Sequence, residues 1–383
     1  MTHTENSFPS RAICLLDTHY MVIALSQYIP QKSVYEITYA HQSRIVHNDT
    51  LTPTEKLAKV YDIVLLTFQK FLNDVQMKPD SVEVFLGDSL SSGIYRKHTM
   101  RRTTAFTITE KLLESMKSRD YNLINQKTAS IYGLPHTITH TDTVSRMING
   151  YPFTTDQKKL PEKVFSLEHI YVHTLVPNHL QDKLTEIISG IYHTDITITF
   201  RNISSVIIPH IGARTSGSWL YVHIGESVTT LASVSGHMIT DLTTFPVGTS
   251  IVVETIMSQL GFSLAETVRL LKLANDQRID DKALLPLKEI VNNFWSTWRK
   301  QLTIQLEKMV HKGATISKVI YSYDTEYLYV DQYVFPQEPH ELWYGSRNVI
   351  HVPCESILDH TESTVSRAYI RSILLHIQQV INT

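Results

Sequence analysis

Glycine is scarce in this chain of 383 residues: the 13 present are about half the roughly 7% usual in globular proteins. Loops that wrap phosphate groups through bare backbone need glycine, so such loops have little material here. Cysteine is scarcer still. Cys14 and Cys354 form neither a disulfide framework nor a C-x-x-C zinc pair, which fits a reducing compartment and a cytoplasmic location. No apolar run approaches the 18 residues of a spanning helix, and MTHTENSFPSR at the start lacks the pattern of a signal peptide. Neither charge sign dominates. With 35 Lys and Arg against 37 Asp and Glu, a net charge of -2, the chain has no footprint for nucleic acid.

What is present is ordinary globular composition, 42% hydrophobic and 19% charged, at a length that predicts more than one compact unit. Residues 11–27 are apolar on both sides of Asp17-Thr18-His19 and predict a hairpin, with a third strand over 33–41. Thr52, Pro53 and Glu55 make a capping box. The spacing of Leu57, Val60, Val64, Phe68 and Phe71 or Leu72 continues it into a helix of about 20 residues. A strand over 81–87 and a helix over 109–116, capped by Thr107, come next. Beyond these lie a Thr-rich stretch, an Asn-Gly-Tyr-Pro turn at 149–152, a strand over 164–175 and a helix from Pro177. Later strands are expected at 196–200, 219–224, 229–233, 238–245 and 317–323. Helices are expected at 249–260, from Ser263, at 288–310 and at 364–381. Each half thus runs three strands, helices, then strand, a duplicated α/β plan.

The most informative stretch is Trp219 to Leu270, where Phe245-Pro246-Val247-Gly248 steps from a hairpin into a helix and a second helix opens on Ser263-Leu264-Ala265-Glu266. In order and spacing it resembles the second phosphate segment of the actin-like ATPases, in particular the FtsA and PilM branch. The resemblance implies an actin-like, ribonuclease H-like duplicated α/β fold of two lobes, with an inserted FtsA-type 1C domain. The implied boundaries are 1–80 for the start of the first lobe, 81–177 for the insertion, 178–214 for the return, and 215–383 for the second lobe, with a helical subdomain near 262–316. It also places Asp17, Thr18 and His19 in the first phosphate loop. Gly225, Glu226, Ser227, Thr229 and Thr230 fall in the second, so ATP with Mg²⁺ is the cofactor to consider.

Against that pattern the loops are eroded. His19 or Thr18 replaces a glycine beside Asp17. His223 stands for a leading Asp, Glu226 and Ser227 for glycines, Thr230 for a closing Asp, and Ser322 and Asp324 for the glycine pair near adenosine. ATP could still bind through altered side chains. The alternative, a kept fold with a decayed site and no resident cofactor, is preferred, because bulky residues obstruct all three loops. The resemblance then implies a scaffold with weak or absent hydrolysis, acting on an FtsZ-like filament in division or on itself. Further alternatives are an active ATPase with atypical loops, or a PilM-like platform component holding a short peptide of a membrane partner, which would recruit the chain to the inner face of the membrane.

Other candidates are weaker. His136 and His140 have H-x-x-x-H spacing but no adjacent Glu, and a surface loop is preferred to a zinc site. Ser92-Gly93 makes no nucleophile elbow. Arg96, Lys97, Arg101 and Arg102 form a basic cluster, expected as a solvated edge, with an acidic partner as the alternative. Trp295 and Trp298 are expected in the core rather than as a partner anchor. The closing helix, with Ile370, Ile373, Leu374 and Ile377 on one face, is expected to dock on a sheet rather than on a membrane.

Overall fold

A computed structural model describes residues 9–45, 51–132, 135–153, 163–193, 195–235, 238–275, 278–279, 281–311, 316–323 and 350–353. These fall into two compact units, the first running to His210 and the second from Ile211.

In the first unit β1 (Ser10–Leu16), β2 (Tyr20–Ile29) and β3 (Val34–Arg44) form an antiparallel meander. β4 (Ser81–Leu86) lies parallel to β1, and β9 (Thr197–Asn202) parallel to β4, giving the order β3-β2-β1-β4-β9. The continuous apolar runs of β1 and β2 follow from this central place, buried on both faces. Helix α1 (Pro53–Val75) buries Val60, Val64, Phe68 and Phe71 against the sheet. Both halves of its capping box form: Thr52 N–H donates to Glu55 at 2.7 Å, and Glu55 N–H to Thr52 Oγ1 at 3.3 Å. Helix α3 (Asn178–Tyr192) packs beside it through Leu180, Leu184 and Ile188.

Between β4 and α3 the chain builds a separate four-stranded sheet, order β5-β8-β6-β7, from β5 (Ser92–Phe106), β6 (His136–Ile148), β7 (Tyr151–Pro152) and β8 (Val164–Pro177), together with helix α2 (Glu110–Tyr132). It corrects three expectations. The helix expected over 109–116 runs on to Tyr132, and its cap is Thr109, whose Oγ1 accepts from Leu112 N–H at 3.2 Å, rather than Thr107. The His136–His140 stretch is strand β6, not a surface loop, because β8 supplies it with an antiparallel partner. Strand β5 has no apolar alternation to announce it, yet eleven of its residues pair with β8. The new sheet is tied to β9: Thr139 Oγ1 donates to Phe200 O at 3.0 Å, and Arg201 pairs with Asp142.

Helix α4 (Ile203–Arg214) was not expected from a β-branched run containing Pro209. Asn202 starts it, its Oδ1 accepting from Ser205 N–H at 3.0 Å.

The second unit repeats the first sheet's plan. β10 (Ser218–Ile224), β11 (Thr229–Ser235) and β12 (Met238–Phe245) are the meander, β13 (Lys318–Tyr323) lies parallel to β10, and β14 (Ile350–Pro353) parallel to β13. The order β12-β11-β10-β13-β14 matches that of the first sheet. Helices α5 (Ser250–Leu260), α6 (Leu264–Asn275) and α7 (Asp281–His311) cover it. The Ser263–Glu266 box forms. Helix α7 begins seven residues before the expected 288 and carries Pro286 inside. Trp295 and Trp298 are 1% and 0% exposed, so they are core residues and present nothing to a partner. The helix expected over 364–381, Asp324 and Cys354 lie outside the described residues.

Candidate functional site

Both turns singled out in the sequence sit where a meander's first strand ends. In the first unit Asp17, Thr18 and His19 link β1 to β2, and Asp17 N–H donates to Tyr20 O at 2.9 Å. The Asp17 side chain, 7% exposed, accepts from its neighbours. Thr18 N–H reaches its Oδ1 at 2.5 Å, Thr18 Oγ1 at 3.1 Å, and the Ser89 hydroxyl donates to the same oxygen. Thr18 Oγ1 also lies 2.9 Å from His19 Nδ1. Gly87, just past β4, is where Asp17 finds room: a Cβ there would stand 2.6 Å from Asp17 Cγ and closer still to Oδ2.

Sequence reasoning missed the residues that complete this corner. Asp88 accepts from Asn202 Nδ2 at 2.7 Å and from Ser204 Oγ at 2.5 Å, and Asn202 Nδ2 also donates to Ser91 Oγ at 2.9 Å. The ends of β1, β4 and β9 thus bring Asp17, Asp88 and Asn202 to one edge of one sheet. Only the strand-ending Gly-Asp-Ser after Leu86 could have signalled it.

In the second unit Gly225 to Val228 form a tight turn, Gly225 N–H donating to Val228 O at 2.9 Å. The start of α5 is bonded to that turn: Thr249 N–H reaches Gly225 O at 3.0 Å and Ser250 N–H reaches Glu226 O at 2.8 Å. Gly248 permits the approach. A Cβ there would lie 2.6 Å from Ser227 C and nearer to Glu226 O. Its φ is not positive, so of the two reasons for a glycine, left-handed backbone or tight packing, the second holds. Glu226 is 7% exposed. Thr229 and Thr230 are fully buried. Thr229 Oγ1 donates to Val247 O at 2.7 Å and accepts from Trp298 Nε1 at 2.9 Å, a packing role. His223, next to last in β10, has Nδ1 3.0 Å from Ser322 Oγ, which also meets Tyr221 OH at 2.9 Å. The place where the resemblance expects a carboxylate therefore holds an imidazole bound to the next strand.

Mg²⁺ takes oxygen ligands, carboxylates first. The first corner offers Asp17 and Asp88, both already hydrogen-bonded by the protein, and the second turn offers Glu226. Among the described residues no group of three His, Cys, Asp or Glu is arranged to hold a metal ion. His140 instead lies 3.2 Å from Asp142.

The inserted sheet holds a different polar cluster. Asp120, fully buried, accepts from Arg96 Nε at 3.0 Å and meets His98 and, at 3.4 Å, His173. Burial pushes its carboxyl up, but hydrogen bonds from His173, His98 and Arg96 outweigh this and hold it at about 2. His169, 1% exposed, is lowered to about 4 by burial and by the nearby charges of Arg146 and His98. The Cys14 thiol is pushed up by burial and is unreactive. A groove of about 790 Å³ between α1 and α3, lined by Tyr61, Leu65, Lys183 and Ile187 among others, includes none of the turn residues.

No protein-family profile matches the sequence. No curated protein matches it either. Among solved structures, a chain of the PilM–PilN type IV pilus biogenesis complex overlays with a TM-score of 0.63 at 8% identity, covering 97% of this chain and 98% of its own. The duplicated five-stranded order and this end-to-end overlay agree. The chain has an actin-like fold. The actin-like fold is overlaid more loosely by the ethanolamine utilization protein EutJ of Carboxydothermus hydrogenoformans, with a TM-score of 0.42 at 9% identity over 98% of this chain and 89% of that one. A Bacteroides thetaiotaomicron protein with an actin-like ATPase fold gives 0.31 at 9% identity over 69% and 81%. Within the actin-like fold, the two turns hold corresponding places at the ends of β1 and β10. Among the described residues no single helix is long and apolar enough to cross a membrane.

Proposed function

We propose that this protein is an actin-fold scaffold that acts by binding other proteins, in a role like that of PilM in a type IV pilus platform, with weak or no hydrolysis of ATP. One observation carries the second half of the reading. The space and the donors that a nucleotide cradle would use are taken by the protein's own atoms. Asp17 fills the room beside Gly87, the backbone of Glu226 and Ser227 fills the room beside Gly248, and the Thr18 amide is spent on the Asp17 carboxylate. An amide aimed at a carboxylate is lost to a phosphate, and the carboxylate's charge repels one.

The scaffold half is supported by the whole-length overlay on the PilM–PilN complex. That overlay moves the pilus platform ahead of the FtsZ-linked division role that the sequence resemblance put first. With it go a cytoplasmic location, recruitment to the membrane by a partner, and the subdomain limits 1–80, 81–177, 178–214 and 215–383.

Thermal melts with MgATP test the nucleotide reading. A ligand at 100 times its Kd stabilises by about 2.7 kcal/mol. We expect no saturable rise in melting temperature at millimolar MgATP, and a saturable rise abolished by Asp17→Ala would overturn the reading. In-cell cross-linking tests the role. A pilus platform protein as the main adduct supports it, and an FtsZ-like filament protein would return division to first place.

A further inference from the structure

Strand β5 forms one border of the inserted sheet. Among the described residues β8 is its sole partner strand. Its 15 residues extend about 50 Å at roughly 3.4 Å each, far longer than the short edges proteins leave open. The register with β8 is unbroken from Ser92 to Arg101. No proline interrupts the strand, and its irregularity is confined to the stretch between Arg101 and Phe106.

The usual guard on such a border is a lysine projecting past it. Here the guard is turned inward. Thr99 lies opposite Glu168 in the register, so Lys97 and Arg101 are its diagonal neighbours on the same face. Lys97 Nζ reaches Glu168 at 2.6 Å, and Arg101 Nη2 leans the same way at 3.8 Å. On the other face Arg96 is held by Asp120. Arg96 and Lys97 are thus engaged within the sheet, while Arg101, at the end of the regular stretch, keeps a side chain that is 77% exposed.

Its electrostatics select the occupant. β5 carries Arg96, Lys97, Arg101 and Arg102 and no Asp or Glu. Among the described residues two carboxylates, Asp120 and Glu168, face Arg96, Lys97 and Arg101, three of the strand's four cations. A second copy of β5 would set like charges opposite one another, which is destabilising. An acidic strand would not.

We propose that the outer border of β5 takes up an extended acidic segment of a partner protein as an added strand, main-chain hydrogen bonds giving the affinity and the surplus cations the selectivity. The surface goes beyond the scaffold reading and stands whether or not nucleotide binds.

The probes are three capped peptides of about ten residues: alternating Glu and Val, alternating Lys and Val, and the Glu–Val peptide with a central proline. Binding is followed by fluorescence anisotropy, and the site by amide hydrogen exchange on the full chain. We expect the Glu–Val peptide to bind and to slow exchange in β5, and the other two to bind at least tenfold more weakly. The double variant Arg101→Glu, Arg102→Glu, with unchanged circular dichroism, should weaken the Glu–Val peptide at least tenfold. Equal binding of the proline peptide would reduce the effect to charge attraction and overturn the proposal. So would slowed exchange elsewhere than β5, no binding at millimolar peptide, or self-association that protects β5 without peptide.

Discussion

Replacing Gly248 by alanine probes the contact on which the second turn depends. The new Cβ would stand 2.6 Å from Ser227 C and nearer to Glu226 O, against ordinary contacts of about 3.5 Å. Backbone cannot rotate away as a side chain can, so the turn or the start of α5 must move by close to an ångström. That motion strains two hydrogen bonds, Thr249 N–H to Gly225 O and Ser250 N–H to Glu226 O, at 3.0 and 2.8 Å. Overpacking costs about 1–3 kcal/mol, and each weakened bond adds about 0.5–1 kcal/mol. Together they predict about 2–5 kcal/mol for alanine and more for valine. Trp298 is the reporter, because its Nε1 donates to Thr229 Oγ1, which in turn donates to Val247 O. The first unit contains no tryptophan, so fluorescence in guanidinium follows the second unit alone. With a slope near 4 kcal/mol/M, the midpoint should fall by roughly 0.5–1.2 M. Gly190, in α3 of the first unit, would meet nothing within 4 Å of an added Cβ; it is the control, followed by circular dichroism, and Gly190→Ala should stabilise by up to about 1 kcal/mol. A midpoint unchanged in Gly248→Ala would refute the packing account.

At the first corner, Gly87→Ala collides with a side chain rather than with backbone, so Asp17 can swing out at a cost of about 1–3 kcal/mol in lost hydrogen bonds. The cost should shrink when Asp17 is already alanine, and strict additivity in a double-mutant cycle would show that the two residues do not meet. In the inserted sheet His169 titrates near 4 when folded, against 6.5 as its ordinary value. The unfolded chain therefore binds the extra proton between those values, so stability is full above about pH 6.5 and falls as pH drops toward 4. The shift gives at most about 3 kcal/mol, nearer 2 after solvent screening. Urea midpoints by circular dichroism at about pH 7 and pH 5 should differ less in His169→Phe than in the parent, and an equal difference would clear His169. Asp120, held near 2 against an ordinary 3.8, stabilises above that ordinary value and loses its contribution only at still lower pH, which separates the two effects.

How much of this was legible in the sequence depends on which physical signal each element uses. The meanders, α1, α3 and the Phe245-to-Gly248 step announce themselves through apolar periodicity and capping chemistry, because a buried face or an end cap constrains residue type directly. Strand β5 has no apolar period. It exists because β8 offers a ladder and because Asp120 and Glu168 pair with Arg96 and Lys97, and partners distant in sequence leave no local trace. Helix α4 goes unassigned in the sequence because Pro209 and a β-branched run hide it, and only Asn202 capping its start marks it. Asp88 and Asn202 were missed for the same reason: three strand ends meet only after the sheet has formed.

The site residues themselves show why a fold can outlast a ligand. The core constrains Trp298, Thr229 and Gly248 through contacts that remain whatever the turn binds. Asp17 is constrained by Ser89, Thr18 and the room at Gly87. A turn whose polar groups are satisfied internally loses nothing on folding without ligand, since no buried donor or carboxylate is left to desolvate unpaired. A cradle built for phosphate would carry the opposite cost when empty, its amides converging with no acceptor. The first turn follows the first arrangement, its Asp17 carboxylate bonded by Thr18 and Ser89. That is the physical basis for expecting an Asp17→Asn variant to keep any partner-binding activity while altering stability modestly, and loss of partner binding in a folded Asp17→Asn protein would show that the corner serves a ligand after all.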